Sequence, residues 1–201
     1  MASSRKESLK QVAYDLSLSF SEKDDRNILP YLKGFKLFRR GGRKRITNVL
    51  FEEHPMLEYR VYIFDYKYTI NTKNSSKTYK QTVFFVQSKK LALPSFWMKP
   101  ESFFHKVGEL LKLTKDIDFV DYPEFSKQYK LKSEDEDYTR ATMNDQILHF
   151  FTINKNWSLE GANYYMIFYQ HNKIIKPPRI KDFYKKGLHL KRLFKFEDIG
   201  L

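Results

Sequence analysis

Cysteine is missing from the sequence. That excludes disulfides, thiolate nucleophiles and cysteine-based metal sites. It suits a reducing compartment, so a cytoplasmic location is the expectation. No run of about 18 apolar residues occurs, so no transmembrane segment is expected. The opening residues, MASSRKESLKQ, have no apolar core and do not read as a secretory signal. Internal repeats and low-complexity tracts are also lacking. Motif chemistry is equally thin. GGRKR, Gly41–Arg45, has two glycines without Walker spacing, and no strand–GxxxxGK[ST]–helix context surrounds it. There is no GxSxG, no Ser/His/Asp order and no dinucleotide fingerprint. The five histidines, His54, His105, His149, His171 and His189, form no pair at metal-ligand spacing. Asp116, Asp118, Asp121 and Glu124 alternate, but without the glycine and ligand spacing of a calcium loop; they read as a solvated loop. No metal, no cofactor and no catalytic residue is expected from these patterns.

What the chain does contain is aromatic and β-rich. It is 41% hydrophobic and 17% aromatic over 201 residues, enough for a true core and for one or two domains. Leu57–Ile70 and Lys77–Gln87 are filled with Tyr, Phe, Val, Ile and Thr and flank the polar loop Asn71–Ser76. Arg45–Glu53 precedes them across His54–Pro55, which gives a three-stranded antiparallel meander. A later hairpin is expected over Trp157–Glu160 and Tyr164–Gln170, with the second strand central because both its faces are apolar. Ser17–Phe20, Ser95–Met98 (at an edge), Pro123–Leu131 and Ile174–Ile175 (a short edge) are further expected strands. Helical spacing appears at Lys6–Leu16, with Ser4 as cap, and at Pro100–Leu113. A short helix is expected over Asn27–Leu32 with Asp24 or Asp25 as its cap. Two more are expected at Glu134–Thr152, capped by Ser133, and at Arg179–Phe196. The pattern is α+β: antiparallel sheet, an N-terminal meander plus a later hairpin, with about four or five helices packed against one face. A single domain over 1–201 is the expectation, with two sub-lobes, about 1–113 and 114–201, as the alternative.

Charge is lopsided. Lys and Arg number 37 against 24 Asp and Glu, a formal net charge of +13. Either a polyanionic partner or the lysine-rich usage of an AT-rich genome explains this: 27 of the 37 are Lys. Two segments concentrate the cations. Lys36–Arg45 has no acid, and Lys173–Lys195 has nine bases and one acid, Asp182. The candidate anion- or partner-binding residues are therefore Arg39, Arg40, Arg43, Lys44 and Arg45 in the first, with Lys181, Lys185, Lys186 and Arg192 on the last helix. The two groups would make one field if the fold placed them on a common surface. Tyr66, Tyr68 and Tyr79, near the hairpin loop, are the aromatics expected to be hardest to bury. Asp65 sits inside an aromatic strand and needs a partner there; Arg60, Lys80 or a basic residue of Phe38–Arg45 is in reach.

IFDYKYT (Ile63–Thr69), TYKQTV (Thr78–Val83), DIDFVDYPEFSKQYKL (Asp116–Leu131), WSLEGAN (Trp157–Asn163) and IFYQHNKIIKP (Ile167–Pro177) follow one another in an order that resembles a family of uncharacterised bacterial proteins. The resemblance covers nearly the whole chain. Members often carry a membrane span ahead of this domain, and none is seen in this sequence. The resemblance implies a shared architecture and brings no activity, so it transfers no catalytic residues. The leading expectation is a non-enzymatic cytoplasmic interaction module, peripheral at the membrane if its basic face meets an anionic surface, or bound to a protein partner. An enzyme with a pocket assembled from scattered polar residues, and a nucleic-acid-binding protein, are the alternatives.

Overall fold

The computed structural model describes residues 4–54, 56, 58–104 and 116–194. Among them eight strands form one antiparallel sheet: β1 Ser19–Lys23, β2 Gly42–His54, β3 Tyr59–Asn71, β4 Ser76–Ser88, β5 Leu93–Pro100, β6 Tyr129–Ser133, β7 Ser158–Asn163 and β8 Tyr165–Tyr169, in spatial order β1-β2-β3-β4-β8-β7-β5-β6. The helices are α1 Arg5–Asp15, α2 Leu29–Leu32, α3 Lys36–Arg39, α4 Glu101–Phe104, α5 Pro123–Gln128, α6 Glu136–Thr142, α7 Asp145–Ile153 and α8 Ile180–Leu193. A 3-10 turn at Pro177–Arg179 leads into the last of them.

The meander is where the sequence places it. β3 and β4 keep one unbroken register from Tyr59 opposite Ser88 to Asn71 opposite Ser76. β8 is central as expected, between β4 and β7. The β4–β8 pairing joins meander to hairpin, and β5 pairs with β6 across the 113/114 division. Ser4 caps α1, its hydroxyl accepting from the Glu7 N–H at 3.3 Å.

Helices cover both faces of the sheet, not one. On the first face Leu9 and Ala13 of α1 pack in one core with Ile147 and Phe151 of α7 and with Phe183 and Leu190 of α8. On the second, Ile28, Leu32, Phe35, Leu37 and Phe38 close over Tyr62, Phe64, Tyr66 and Phe85. Strand alternation requires this: in IFDYKYT successive side chains point to opposite faces, and both sets are largely buried. The second cover is an irregular stretch, so no helical period announces it. It is held by side chains instead: the Asp24 carboxylate accepts from the Ile28 and Leu29 N–H groups at 2.8 and 3.1 Å.

Several local expectations are corrected. Tyr66 and Tyr68 are buried, because the Phe38 ring lies 4.3 Å from Tyr66 and Tyr68 stacks between Tyr66 and Tyr79; Tyr79 alone is half exposed. Ser95–Met98 is not an edge: β5 lies between β7 and β6. Pro123–Leu131 splits into α5 and β6, with Pro123 starting the helix. Glu134–Thr152 is two helices. Asp135, in place of Ser133, caps α6, and Asn144 caps α7 by accepting from the Ile147 N–H at 3.0 Å. Ile174–Ile175 forms no strand. The helix expected over Pro100–Leu113 is described only at Glu101–Phe104, and the rest lies outside the described residues.

Candidate functional site

The cations singled out in the sequence separate in space. Leu37 and Phe38 root the first segment in the second-face core, whereas Ile180, Phe183 and Leu190 root α8 in the first-face core. The two basic groups therefore lie against opposite faces of the sheet. Arg39 is exposed and donates from Nε to the Lys33 carbonyl at 3.3 Å. Arg40 turns inward beside Tyr68, where its charge opposes the burial that pushes that phenol up to about 12. Lys44 donates from Nζ to the Phe38 carbonyl at 2.6 Å, tying the loop behind α3. Arg43 is exposed in a left-handed conformation, φ 49°. On α8, Lys181, Lys185 and Arg192 are exposed, while Lys186 is half-buried over the Phe150 ring and donates to Asn154 Oδ1.

Arg45 belongs to a different group, one that the strand register creates. It stands opposite Lys67 on β3, and Lys67 stands opposite Lys80 on β4. Lys173 comes next at the β4 edge: the Thr82 N–H donates to the Lys173 carbonyl at 3.1 Å, and the Lys80 N–H to Asn172 Oδ1 at 3.1 Å. Val61, Ile63, Asp65 and Lys67 alternate onto the first face, so the row lies on that face. Arg5, at the N-terminal end of α1, reaches Asp65, and Lys67 is two residues further along. Directly opposed side chains have Cβ atoms roughly 5 Å apart. None of Arg45, Lys67, Lys80 and Lys173 has an ion-pair partner among the described residues. Lys67 and Lys80 were missed because they are not clustered in sequence, and Lys173 heads the second basic segment but was not singled out in it. The signal was present in the hairpin: with Asn71 facing Ser76, four steps back along each strand bring Lys67 opposite Lys80.

Asp65 finds a partner sixty residues away. Arg5 grips it from Nε and Nη2, both at 2.8 Å, and Asn48 and Thr82 each donate at 2.9 Å. Arg5 also donates to the Ile175 carbonyl at 2.8 Å. The expected partners Arg60, Lys80 and the basic residues of Phe38–Arg45 are not the ones used. With every acceptor position engaged, Asp65 is a clasp between α1 and the sheet.

A second buried charge centre lies on the other face. Glu160 of β7 accepts from the Lys36 and Leu37 N–H groups at 2.5 and 3.2 Å and from the Tyr169 hydroxyl at 2.9 Å. It sits in the cross-strand row Tyr62–Phe85–Ile167–Glu160–Trp97–Lys132. Burial draws Lys99 down to about 8, and Glu160 resists that shift. His171 is held down to about 3, first by burial, then by Arg40, Lys99 and Lys77. An unfolded chain takes up that proton near pH 6.5. Stability from this group is thus fully present above pH 6.5 and is lost as pH falls toward 3, by at most about 1.4 kcal/mol per pH unit. Urea denaturation at pH 7, 6 and 5 is expected to show that slope, and His171→Asn to flatten it.

Among the described residues no group of three or more His, Asp and Glu could hold a metal ion, and no helix is long and apolar enough to cross a membrane. The fold and the charge layout define an α+β protein with one cation row on an open part of its sheet. No family model and no curated protein matches the sequence. In structure the chain is similar to the mycobacterial trehalose monomycolate transport factor A, TtfA, with a TM-score of 0.60 over 94% of this chain and 92% of that one, at 11% identity. At that identity the likeness is one of fold.

Proposed function

We propose that this chain is a non-enzymatic accessory module of the bacterial cytoplasm that docks on an anionic membrane surface through the row Arg45–Lys67–Lys80–Lys173. The observation that carries this reading is the direct opposition of like charges across three strands. Such pairs destabilise a sheet, and a bound polyanion offsets that repulsion. Two further points support it. The polar groups around the buried acids Asp65 and Glu160 are engaged in holding the fold. A solved protein of similar fold is named a transport factor, and an accessory role of that kind suits a module whose buried acids Asp65 and Glu160 serve the fold.

Lys67→Glu separates binding from stability. It converts two repulsive cross-strand pairs into two attractive ones, so the fold is expected to gain about 0.2–1 kcal/mol per pair, while docking weakens. The measurements are thermal melts and co-sedimentation with vesicles of anionic or purely zwitterionic lipid across a salt series. Wild type should bind the anionic vesicles at low salt and release them as salt rises. Failure to bind at low salt, or equal binding by the variant, would remove this reading. Preference for duplex DNA over vesicles would replace it with the nucleic-acid one.

A further inference from the structure

Four cations at an anionic surface give only about millimolar affinity. A lasting anchor needs a second contact. The end of the cation row leads to one. Between the segment Gln170–Arg179 and α8 lies a groove of about 480 Å³, within the roughly 300–1,000 Å³ typical of ligand sites. Trp157 and Phe183, 9% and 2% exposed, stack at 5.4 Å beneath it, and the half-buried Ile174 flanks them. Lys173, Lys176 and Lys186 stand around it. Its acid, Asp182, is engaged by Arg179 at 3.4 Å. Lys186 has Asn154 as a neutral partner, and neither Lys173 nor Lys176 has an ion-pair partner among the described residues.

That combination selects a ligand chemistry. A neutral apolar molecule on the floor would leave the lysines uncompensated. A bare anion would satisfy the lysines and leave the half-buried Ile174 and the exposed part of Trp157 in water. A molecule with an anionic head and an apolar chain answers both demands, with the chain along Ile174 and the exposed part of Trp157 and the head among ammonium groups. We propose that this groove binds a single anionic amphiphile, its phosphate or carboxylate head between Lys173 and Lys176 and its chain along Ile174 and the exposed part of Trp157. The proposal deepens the anionic-surface reading and rests on it for the source of the ligand, a lipid of the bilayer, but not for the chemistry of the groove.

The chain has two tryptophans, so two indole N–H signals in a proton–nitrogen correlation spectrum report on Trp157 and Trp97 separately, with Trp157→Phe used to assign them. The probe is dodecyl phosphate below its micelle concentration, added to the full chain. The controls are dodecyl maltoside, with the same chain on a neutral head, and inorganic phosphate, a head without a chain. The Trp157 signal is expected to shift saturably with dodecyl phosphate while Trp97 stays in place, with each control at least tenfold weaker. Lys173→Glu with Lys176→Glu, both at exposed positions, should weaken the response at least tenfold. An unmoved Trp157 signal, an equal response to dodecyl maltoside or to inorganic phosphate, or an undiminished response in the double variant would overturn the proposal. Lys67→Glu lies outside the groove and should respond to dodecyl phosphate as wild type does. Anionic vesicles should move the Trp157 signal in wild type only if the bilayer supplies the ligand. A wild type that binds dodecyl phosphate and ignores vesicles would retire the surface reading and leave the groove standing.

Discussion

Glu160→Ala should destabilise the protein by about 3–5 kcal/mol, the loss expected when one member of a buried, hydrogen-bonded charge group is removed. Glu160 is 1% exposed, so no water replaces its oxygens cheaply. Its removal leaves the Lys36 and Leu37 N–H groups and the Tyr169 hydroxyl without their acceptor, and an orphaned buried donor costs about 1–3 kcal/mol. It also takes away the acid that resists Lys99 deprotonation. Lys36 and Leu37 begin α3, so the segment covering the second face loses its tie to β7. Urea denaturation measures the loss. Adding Lys99→Met to Glu160→Ala should recover part of it, because the buried ammonium no longer has to be accommodated; a non-zero coupling energy in that double-mutant cycle is the check. A Glu160→Ala protein as stable as wild type would mean that the second cover is held by its apolar contacts alone.

Phe84→Ala should cost about 3–5 kcal/mol as well, through a different mechanism, the cavity left by a lost aromatic ring. Phe84 is fully buried at the centre of β4. Its ring meets Phe183 edge-on at 6.3 Å. α8 lies close above it because residue 187 is glycine: a Cβ there would come 2.4 Å from the Phe84 ring. The helix backbone thus rests on the ring, and its fourteen residues cannot settle into the void without disturbing Leu190, which packs in the same core. Phe64→Ala and Phe85→Ala, both fully buried on the opposite face, should fall in the same range. Melting curves for all three variants that match wild type would contradict the two-faced core.

Local pattern carried a good part of this architecture. Strand runs rich in aromatic and β-branched residues made the β3–β4 hairpin legible, and apolar spacing of three and four did the same for α1 and α8. The cap at Ser4 was legible because its chemistry lies within a few residues of the group it satisfies; Asp24 instead braces the turn before α2, whose N-cap is Ile28. Where chemistry at that range was misjudged, the element was misjudged too: Asn144 splits one expected helix into two, and Pro123 begins α5 inside an expected strand. The candidate cations were less legible. A cluster in sequence such as Arg39–Arg45 spreads over two faces when the chain turns from helix to strand, whereas Lys67, Lys80 and Lys173 join Arg45 from three separate segments.

By itself the sequence determined the α+β class, the meander, the central position of β8 and the need of Asp65 for a partner, since all of these follow from side-chain period and from the energy of burying a charge. Tertiary structure alone decided that Arg5 is that partner, that Glu160 clasps Lys36 and Leu37 across more than a hundred residues, that β5 is interior, and that Tyr66 and Tyr68 are covered. It also placed the cation row beside the groove under α8. The reason is the same in each case: periodicity records which way a residue faces, and only the pairing of distant strands records what it faces.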